Sequence, residues 1–474
     1  MTSYTRRLLL AVTAVTASFA IVPPGAPAFA ELPMTDWVGE FEPGSDLDHY
    51  CDWVLEQIGV PADERASRQP DTGPDGRKCA MPDLDMIWLR LTQKEADDAN
   101  ALTGQAPLMA AETSGVVSLP TPISNGGGPL APPGQSGTQQ IPPAVLRAGT
   151  PVDEWINGAP SMAGVRVAVI DTGIDATHDD LEGQVATGFN CSQDYRGPEG
   201  WGQDAHGHGT WVAGRIGAKH NDIYITSTAP GVTLLDEITF STEGSASEAM
   251  VLCAVNMALE HDATIISASL GGQHVATRCG GPSVYTNGWC KAAQRAVVVV
   301  AAGNDNMDAI NFGPANVPGV VAVGAIVDYD GLPGALDVGQ GCGLMHLDDA
   351  LAVFSNWGST VRLVANGGCE LGLLPGQSWG ISSGTSMSTP EVSSVMANTA
   401  ARFPDCRGDA LITMVINYAK AWARDHPEDG YSDWPGAFPP PLIRYVDEEP
   451  YQIQPDPEEP RYCAFESDRI GGAS

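Results

Sequence analysis

Val165-Arg166-Val167-Ala168-Val169-Ile170-Asp171-Thr172-Gly173 is apolar, Arg166 excepted, until it meets a carboxylate and a turn. Such a run reads as a buried strand that carries Asp171 to its end. Further apolar runs lie at 232–238, 264–268, 296–302 and 319–326, and helical stretches at 209–218, 245–261 and 388–403. This alternation predicts an α/β fold of three layers, a mostly parallel sheet with helices on both faces. A region of that length is ample to bury such a core.

Chemistry gathers at the ends of these elements. His206-Gly207-His208-Gly209-Thr210-Trp211-Val212-Ala213-Gly214 opens one helical stretch, and Gly384-Thr385-Ser386-Met387-Ser388-Thr389-Pro390 opens another. Proline is tolerated in a first turn, so Pro390 suits a helix start. The unpaired N–H groups there favour negative charge developing beside Ser386. A serine is a weak nucleophile until an imidazole takes its proton and a third group orients that imidazole. Each residue also has a plainer reading: Asp171 as a cap, Ser386 as a turn residue, Asn304 in Ala301-Ala302-Gly303-Asn304 as a turn former after glycine. A second Asp-Thr-Gly, Asp71-Thr72-Gly73, lies among Gly, Pro and Asp with no apolar strand, so it reads as a turn rather than half of an aspartic-protease pair. The pair His206 and His208 lacks a recognisable zinc-ligand pattern.

Taken together, the motifs resemble the subtilisin-like serine peptidases (subtilases) from about Thr138 to Trp422. Val169 to Asp175 with His178 and Asp180-Leu181 resembles the family's aspartate motif. His208-Gly209-Thr210 with Val212-Ala213-Gly214 resembles its histidine motif, and Gly384 to Pro390 its serine motif, with Ser388 where alanine is usual. Phe354-Ser355-Asn356-Trp357-Gly358 resembles a further family segment. The resemblance implies a subtilisin-like fold. It also implies a serine endopeptidase acting through an acyl-enzyme, with Ser386 as nucleophile, His208 as base then acid and Asp171 as its orienter. Asn304 and the Ser386 N–H would be the oxyanion donors.

The same resemblance implies a substrate strand at Ser269, Leu270 and Gly271, pairing with an extended peptide. Ala301, Ala302 and Gly303 would line the pocket for the side chain preceding the cut. It implies a structural Ca2+ held by the Gln139, Asp180 and Asn221 side chains and the carbonyls of Lys219, Ile223 and Ile225, an oxygen set suited to that ion. Tyr224 stands where the family usually has glycine. Proximity and the family layout suggest the disulfides Cys279–Cys290, Cys342–Cys369, Cys51–Cys79, Cys191–Cys253 and Cys406–Cys463.

The rest of the chain frames this region. Residues 1–30 read as a secretory signal: Arg6-Arg7, an apolar stretch from Leu8 to Val22, then Ala28-Phe29-Ala30. Ten cysteines fit an oxidising compartment, extracellular or periplasmic. No later segment reads as a membrane span. A net charge of −34 disfavours nucleic acid and anionic membranes as partners. Residues 31–137 precede the peptidase-like region, 138–425. Within them, 83–91 reads as a strand and 92–102 as a capped helix, followed by a Gly/Pro-rich linker from Pro120 to Pro143. Strand then helix resembles the family's inhibitory pro-regions, which implies a folding aid and temporary inhibitor. A permanent extension is the competing reading. Residues 426–474 are acidic and Pro-rich, read as an irregular surface-wrapping tail without the family's closing helix. The partners implied are protein or peptide substrates. The rival functions are a processing peptidase for few partner proteins and a non-catalytic binding protein on the same scaffold.

Overall fold

A computed structural model describes residues 34–119, 139–157, 159–192, 199–275, 278–334, 348–435 and 439–446. The expected signal segment, Cys342, Cys463 and most of the linker lie outside these residues.

The N-terminal part is a unit of its own. It runs β1 (Met34–Phe41), α1 (Leu47–Gln57), β2 (Ala80–Met81), β3 (Met86–Thr92), α2 (Gln93–Asn100) and β4 (Leu108–Thr113). The sheet order β2-β3-β1-β4, antiparallel throughout, is a split βαβ arrangement. Thr92 starts α2 because its side chain accepts from Glu95 N while Glu95 reaches back to Thr92 N, two orphan donors satisfied at once. Trp37, Phe41, Val54, Leu55, Ile87, Leu89 and Leu91 form its core, and Cys51–Cys79 closes it. Asp71 to Lys78 is a turn, as read: Thr72 N donates to Arg77 O at 3.0 Å.

After β5 (Val116–Ser118) the larger region begins with α3 (Pro143–Arg147), β6 (Arg166–Asp171), β7 (Val185–Asn190), α4 (His208–Gly217), β8 (Thr233–Ile238) and β9 (Ser245–Ser247). It continues through α5 (Glu248–Glu260), β10 (Ile265–Ala268), β11 (Gly272–Gln273), α6 (Val284–Ala293), β12 (Val297–Ala301), β13 (Phe312–Gly313) and β14 (Val321–Val327). It ends with β15 (Ala350–Leu351), β16 (Val361–Gly368), β17 (Glu370–Leu374), β18 (Ser378–Ser382), α7 (Thr385–Arg402) and α8 (Gly408–Asp425). The main sheet has the order β15-β14-β12-β10-β6-β8-β7, with β16 also on β14; only β15 runs antiparallel. Its inner strands are apolar on both sides because α5 and α6 cover one face and α4, α7 and α8 the other.

The five expected strands and three expected helices are present, each within three residues of its expected ends. Cys191–Cys253 and Cys279–Cys290 are formed. Cys369 and Cys406 are also disulfide-bonded, their expected partners lying outside the described residues. Two elements were not foreseen, and one expectation needs correction. Strand β16 at Val361–Gly368 was not foreseen, because Asn366, Gly367 and Gly368 break its apolar pattern. Helix α8 closes the domain just before the point where no closing helix was recognised; it buries Leu411, Ile412, Val415, Ile416 and Ala419 on one side. The tail is not wholly surface-wrapping: Leu442, Ile443 and Val446 are buried, and Leu442 pairs with Val364. Among the described residues, no helix is long and apolar enough to cross a membrane.

Candidate active site

In an open parallel sheet the loops leaving the carboxyl ends of the strands form the natural cleft. Asp171 is the last residue of β6, Ser269 follows β10, and Asn304 follows β12. The Asp171 carboxylate accepts Thr172 N at 2.8 Å, and both its oxygens face His208 Nδ1, at 2.8 and 2.9 Å. An ionised carboxylate only accepts, so Nδ1 carries the proton and Nε2 presents a lone pair. Nε2 is buried without a hydrogen-bond partner. Burial disfavours the imidazolium, but the Asp171 charge and hydrogen bond outweigh it, and His208 titrates above its ordinary value. His206, beside it in sequence, is exposed.

Asp204 holds this pair in place, and sequence reasoning passed over it. Buried, it accepts from Thr172 Oγ1 (3.0 Å), His206 N (3.0 Å), Gly207 N (2.8 Å), Thr210 N (2.9 Å) and Thr210 Oγ1 (2.8 Å). One acid thus caps the helix that begins at His208 and ties it to the strand end that carries Asp171. Thr172 Oγ1 in turn accepts Gly209 N at 3.0 Å. Gly209 must lack a side chain: a β-carbon there would stand 2.1 Å from Gly173 O. The available signal was an acidic residue just ahead of a helix start.

Ser386 is the second residue of α7 and 1% exposed. Its Oγ donates to Ser269 O at 3.3 Å, and Ser269 Oγ donates to Ser386 O at 3.1 Å. Asn304 is oriented without ambiguity. Thr385 N (2.9 Å) and Thr385 Oγ1 (2.8 Å) both converge on its Oδ1, so its NH2 is turned outward as a donor beside the Gly384–Ser386 turn. Asn356 supports this loop, its Nδ2 donating to Ala302 O (2.8 Å) and its Oδ1 accepting Asp305 N and Met307 N, both at 3.0 Å.

Ala301, Ala302 and Gly303, at the end of β12, and Ser269, Leu270 and Gly271, after the neighbouring β10, are all buried. Along that second stretch lies a strand from the N-terminal unit. Ser118 and Gly271 exchange both backbone hydrogen bonds, at 3.4 Å each. Leu119 N donates to Gly244 O at 3.1 Å, and β5 pairs with β9 on its far side.

The expected cation residues also meet. Gln139 Nε2 sits within reach of Lys219 O (2.8 Å), Asn221 Oδ1 (3.1 Å), Ile223 O (3.0 Å) and Ile225 O (3.0 Å). Asp180 is fully buried, its Oδ1 has no partner, and burial pushes its carboxyl up to about 7. Four oxygens around one amide nitrogen beside an orphaned buried carboxylate oxygen are a donor set that fits a hard cation. Tyr224, where the family usually has glycine, adopts φ +44°, and its O–H donates to Gln377 O at 3.2 Å. A second acidic group, Asp328, Asp330 and Asp348, was not foreseen. Arg147 stands 3.3 Å from Asp328 and already balances part of that charge.

A family model described as the subtilase family matches residues 162–432. The chain belongs to the subtilase family. This subtilase is 33% identical over 239 residues to an intracellular serine protease of Paenibacillus polymyxa, covering 49% of this chain and 66% of that one. It is 32% identical over 249 residues to the major intracellular serine protease of Bacillus subtilis (strain 168), covering 51% and 70%. It is 31% identical over 283 residues to an extracellular serine proteinase of Thermus sp. (strain Rt41A), covering 57% and 58%. The match thus spans less than two thirds of the length of several such relatives. Among solved structures, a cold-adapted subtilisin-like serine proteinase aligns with a TM-score of 0.50 at 26% identity, over 61% of this chain and 91% of that one.

Proposed function

We propose that this subtilase is a secreted serine endopeptidase whose own N-terminal unit is its first inhibitor. The observation that carries the reading is the buried His208, its Nδ1 held by both oxygens of Asp171 and its Nε2 left open. In this reading Ser386 Oγ turns from Ser269 O toward His208 Nε2 and gives up its proton as it attacks the scissile carbonyl. Asp171 stabilises the imidazolium that forms, and the Asn304 NH2 and the Ser386 N–H receive the oxyanion. His208 then protonates the leaving amine, and water completes hydrolysis of the acyl-enzyme.

The substrate is an extended peptide added to the edge at Ser269–Gly271, the edge that β5 takes in the intact chain. Ser118 and Leu119 there support an inhibitory role, since an inhibitor that lies as a substrate strand excludes the substrate. Calcium at Gln139, Asp180, Asn221 and the carbonyls of Lys219, Ile223 and Ile225 would supply charge compensation to Asp180 and a brace for that loop. Paired cysteines, together with the signal-like residues 1–30, support export.

A fluorophosphonate that reacts with activated serines should label the protein once the N-terminal unit is removed, and should not label Ser386→Ala. Asn304→Ala should lower kcat on the order of 100-fold or more with labelling retained but slowed. No labelling of the trimmed protein would overturn the peptidase reading.

A further inference from the structure

The cleft has glycine on both walls, Gly271 and Gly303, which would ordinarily leave a slot wide enough for a large side chain. The space is taken. A β-carbon added to Gly271 would lie 2.1 Å from Phe312 Cε1 and 2.8 Å from Cζ; one added to Gly303 would lie 2.9 Å from both. One edge of one aromatic ring therefore packs against both walls. We infer that Phe312 is the floor of the pocket for the side chain preceding the cut bond, and that it restricts this subtilase to peptides with glycine, alanine or serine there.

The ring is not free to swing away. Phe312 is 5% exposed and packs in the core cluster with Ala268, Leu270, Ala315 and Val317. Its strand β13 pairs with β11, Gln273 opposite Phe312 and Gly272 opposite Gly313. Asn316 N donates to Phe312 O at 3.0 Å, and Asn316 Nδ2 ties the turn to His274 O (2.6 Å) and Ile310 O (3.0 Å). On the far side a β-carbon at Gly313 would meet His274 Cβ at 2.8 Å, so the hairpin has no room to retreat. The opposite wall is fixed by Asn356 through Ala302 O. A methylene-sized misfit in such a packed pocket changes kcat/KM roughly 10- to 200-fold. A benzyl or isobutyl side chain is larger than alanine's methyl by several such groups.

The inference rests on the peptidase reading, and its test separates the two. The protein freed of its N-terminal unit is assayed on tetrapeptide p-nitroanilides that differ only in the residue before the bond: alanine, leucine or phenylalanine. Wild type should favour alanine over phenylalanine by about 100-fold in kcat/KM. Phe312→Ala should raise the phenylalanine value and narrow that ratio at least tenfold, and Phe312→Leu, which keeps more of the packing, should shift it part-way. Equal hydrolysis of all three by wild type overturns the inference. So does an unchanged ranking in variants that still react with the fluorophosphonate. If wild type neither reacts with that probe nor hydrolyses any substrate, the peptidase reading itself has failed and takes this one with it.

Discussion

Two segments flank the sheet, and they are attached in opposite ways. The N-terminal unit has its own core and an internal disulfide, Cys51–Cys79. It lends Val38, Met81, Met86 and Trp88 to the cluster over α5 and α6. It also reaches across by polar contacts: Ser114 Oγ accepts Ala249 N (2.8 Å) and Glu112 Oε1 accepts Tyr285 N (2.5 Å), at the first turns of α5 and α6, and Arg77 pairs with Glu260 (2.6 Å) and Lys291 with Glu40 (3.0 Å). The C-terminal segment 439–446 has no core of its own. Leu442, Ile443 and Val446 lie inside the sheet's clusters, and Arg444 Nη1 donates to Arg147 O at 2.7 Å. A unit that folds around itself can leave; a segment that completes another core cannot. Because Cys51 pairs with Cys79, no reduction is needed for the N-terminal unit to go.

The sharpest way to break this contrast is to cut each segment. Removing residues 439–474 takes three buried apolar side chains, Leu442, Ile443 and Val446, out of the core, each worth about 1.5–3 kcal/mol, a large part of an ordinary domain's stability. Urea denaturation should find the truncated protein unfolded or nearly so, whereas proteolysis of the linker after folding should leave the peptidase melting point in place. A truncated protein with the wild-type midpoint would dissolve the distinction. Next in size is the Cys51→Ser, Cys79→Ser double variant. Its 28-residue loop stabilises the N-terminal unit by about 3.5 kcal/mol. Calorimetry should show an early transition for that unit and an unmoved one for the rest.

The proposed calcium sharpens the boundary between the two parts, because Gln139 joins the end of the linker to the Lys219–Ile225 loop of the larger region. Chelation should lower the peptidase melting point by several degrees, about 2–3 kcal/mol for an ion present well above its dissociation constant. Gln139→Ala should shrink that response. An unchanged melting point with excess chelator would remove calcium from the account. The smallest effect expected is on docking. Burial, then the Glu248 charge, raises Glu112 from 4.5 to about 7, against the opposing Tyr285 N–H, His274 and Ser283. A carboxyl whose value is raised on docking takes up a proton there. Docking is then strongest below about 4.5 and weakens as pH rises to about 7. Gel filtration of the cleaved complex should show about tenfold less retention at the upper end, and Glu112→Gln should flatten the profile.

Much of the sheet was legible because its inner strands, such as Val297–Ala301, are apolar on both sides and bounded by glycine or charge. Val361–Gly368 was not, because its pairing with β14 outweighs the glycines that mark it as a loop. The residues of the cleft were legible as motifs, each compact in the chain. Asp204 was not, because a cap acid in a polar stretch looks like any other until its five donors are present around it.

By itself the sequence determined which chemical groups exist and in what order: a carboxylate at a strand end, an imidazole and a serine at helix starts, an amide after a strand. Those are local patterns, written in neighbouring residues. Only the tertiary structure decided how Asn304 faces, what fills the slot between Gly271 and Gly303, and which terminal segment is built into the core. Each of those depends on contacts between distant residues, such as Asn304 with Thr385, 81 positions apart, or Gly271 with Phe312. Packing sets such contacts, and no periodicity along the chain encodes them.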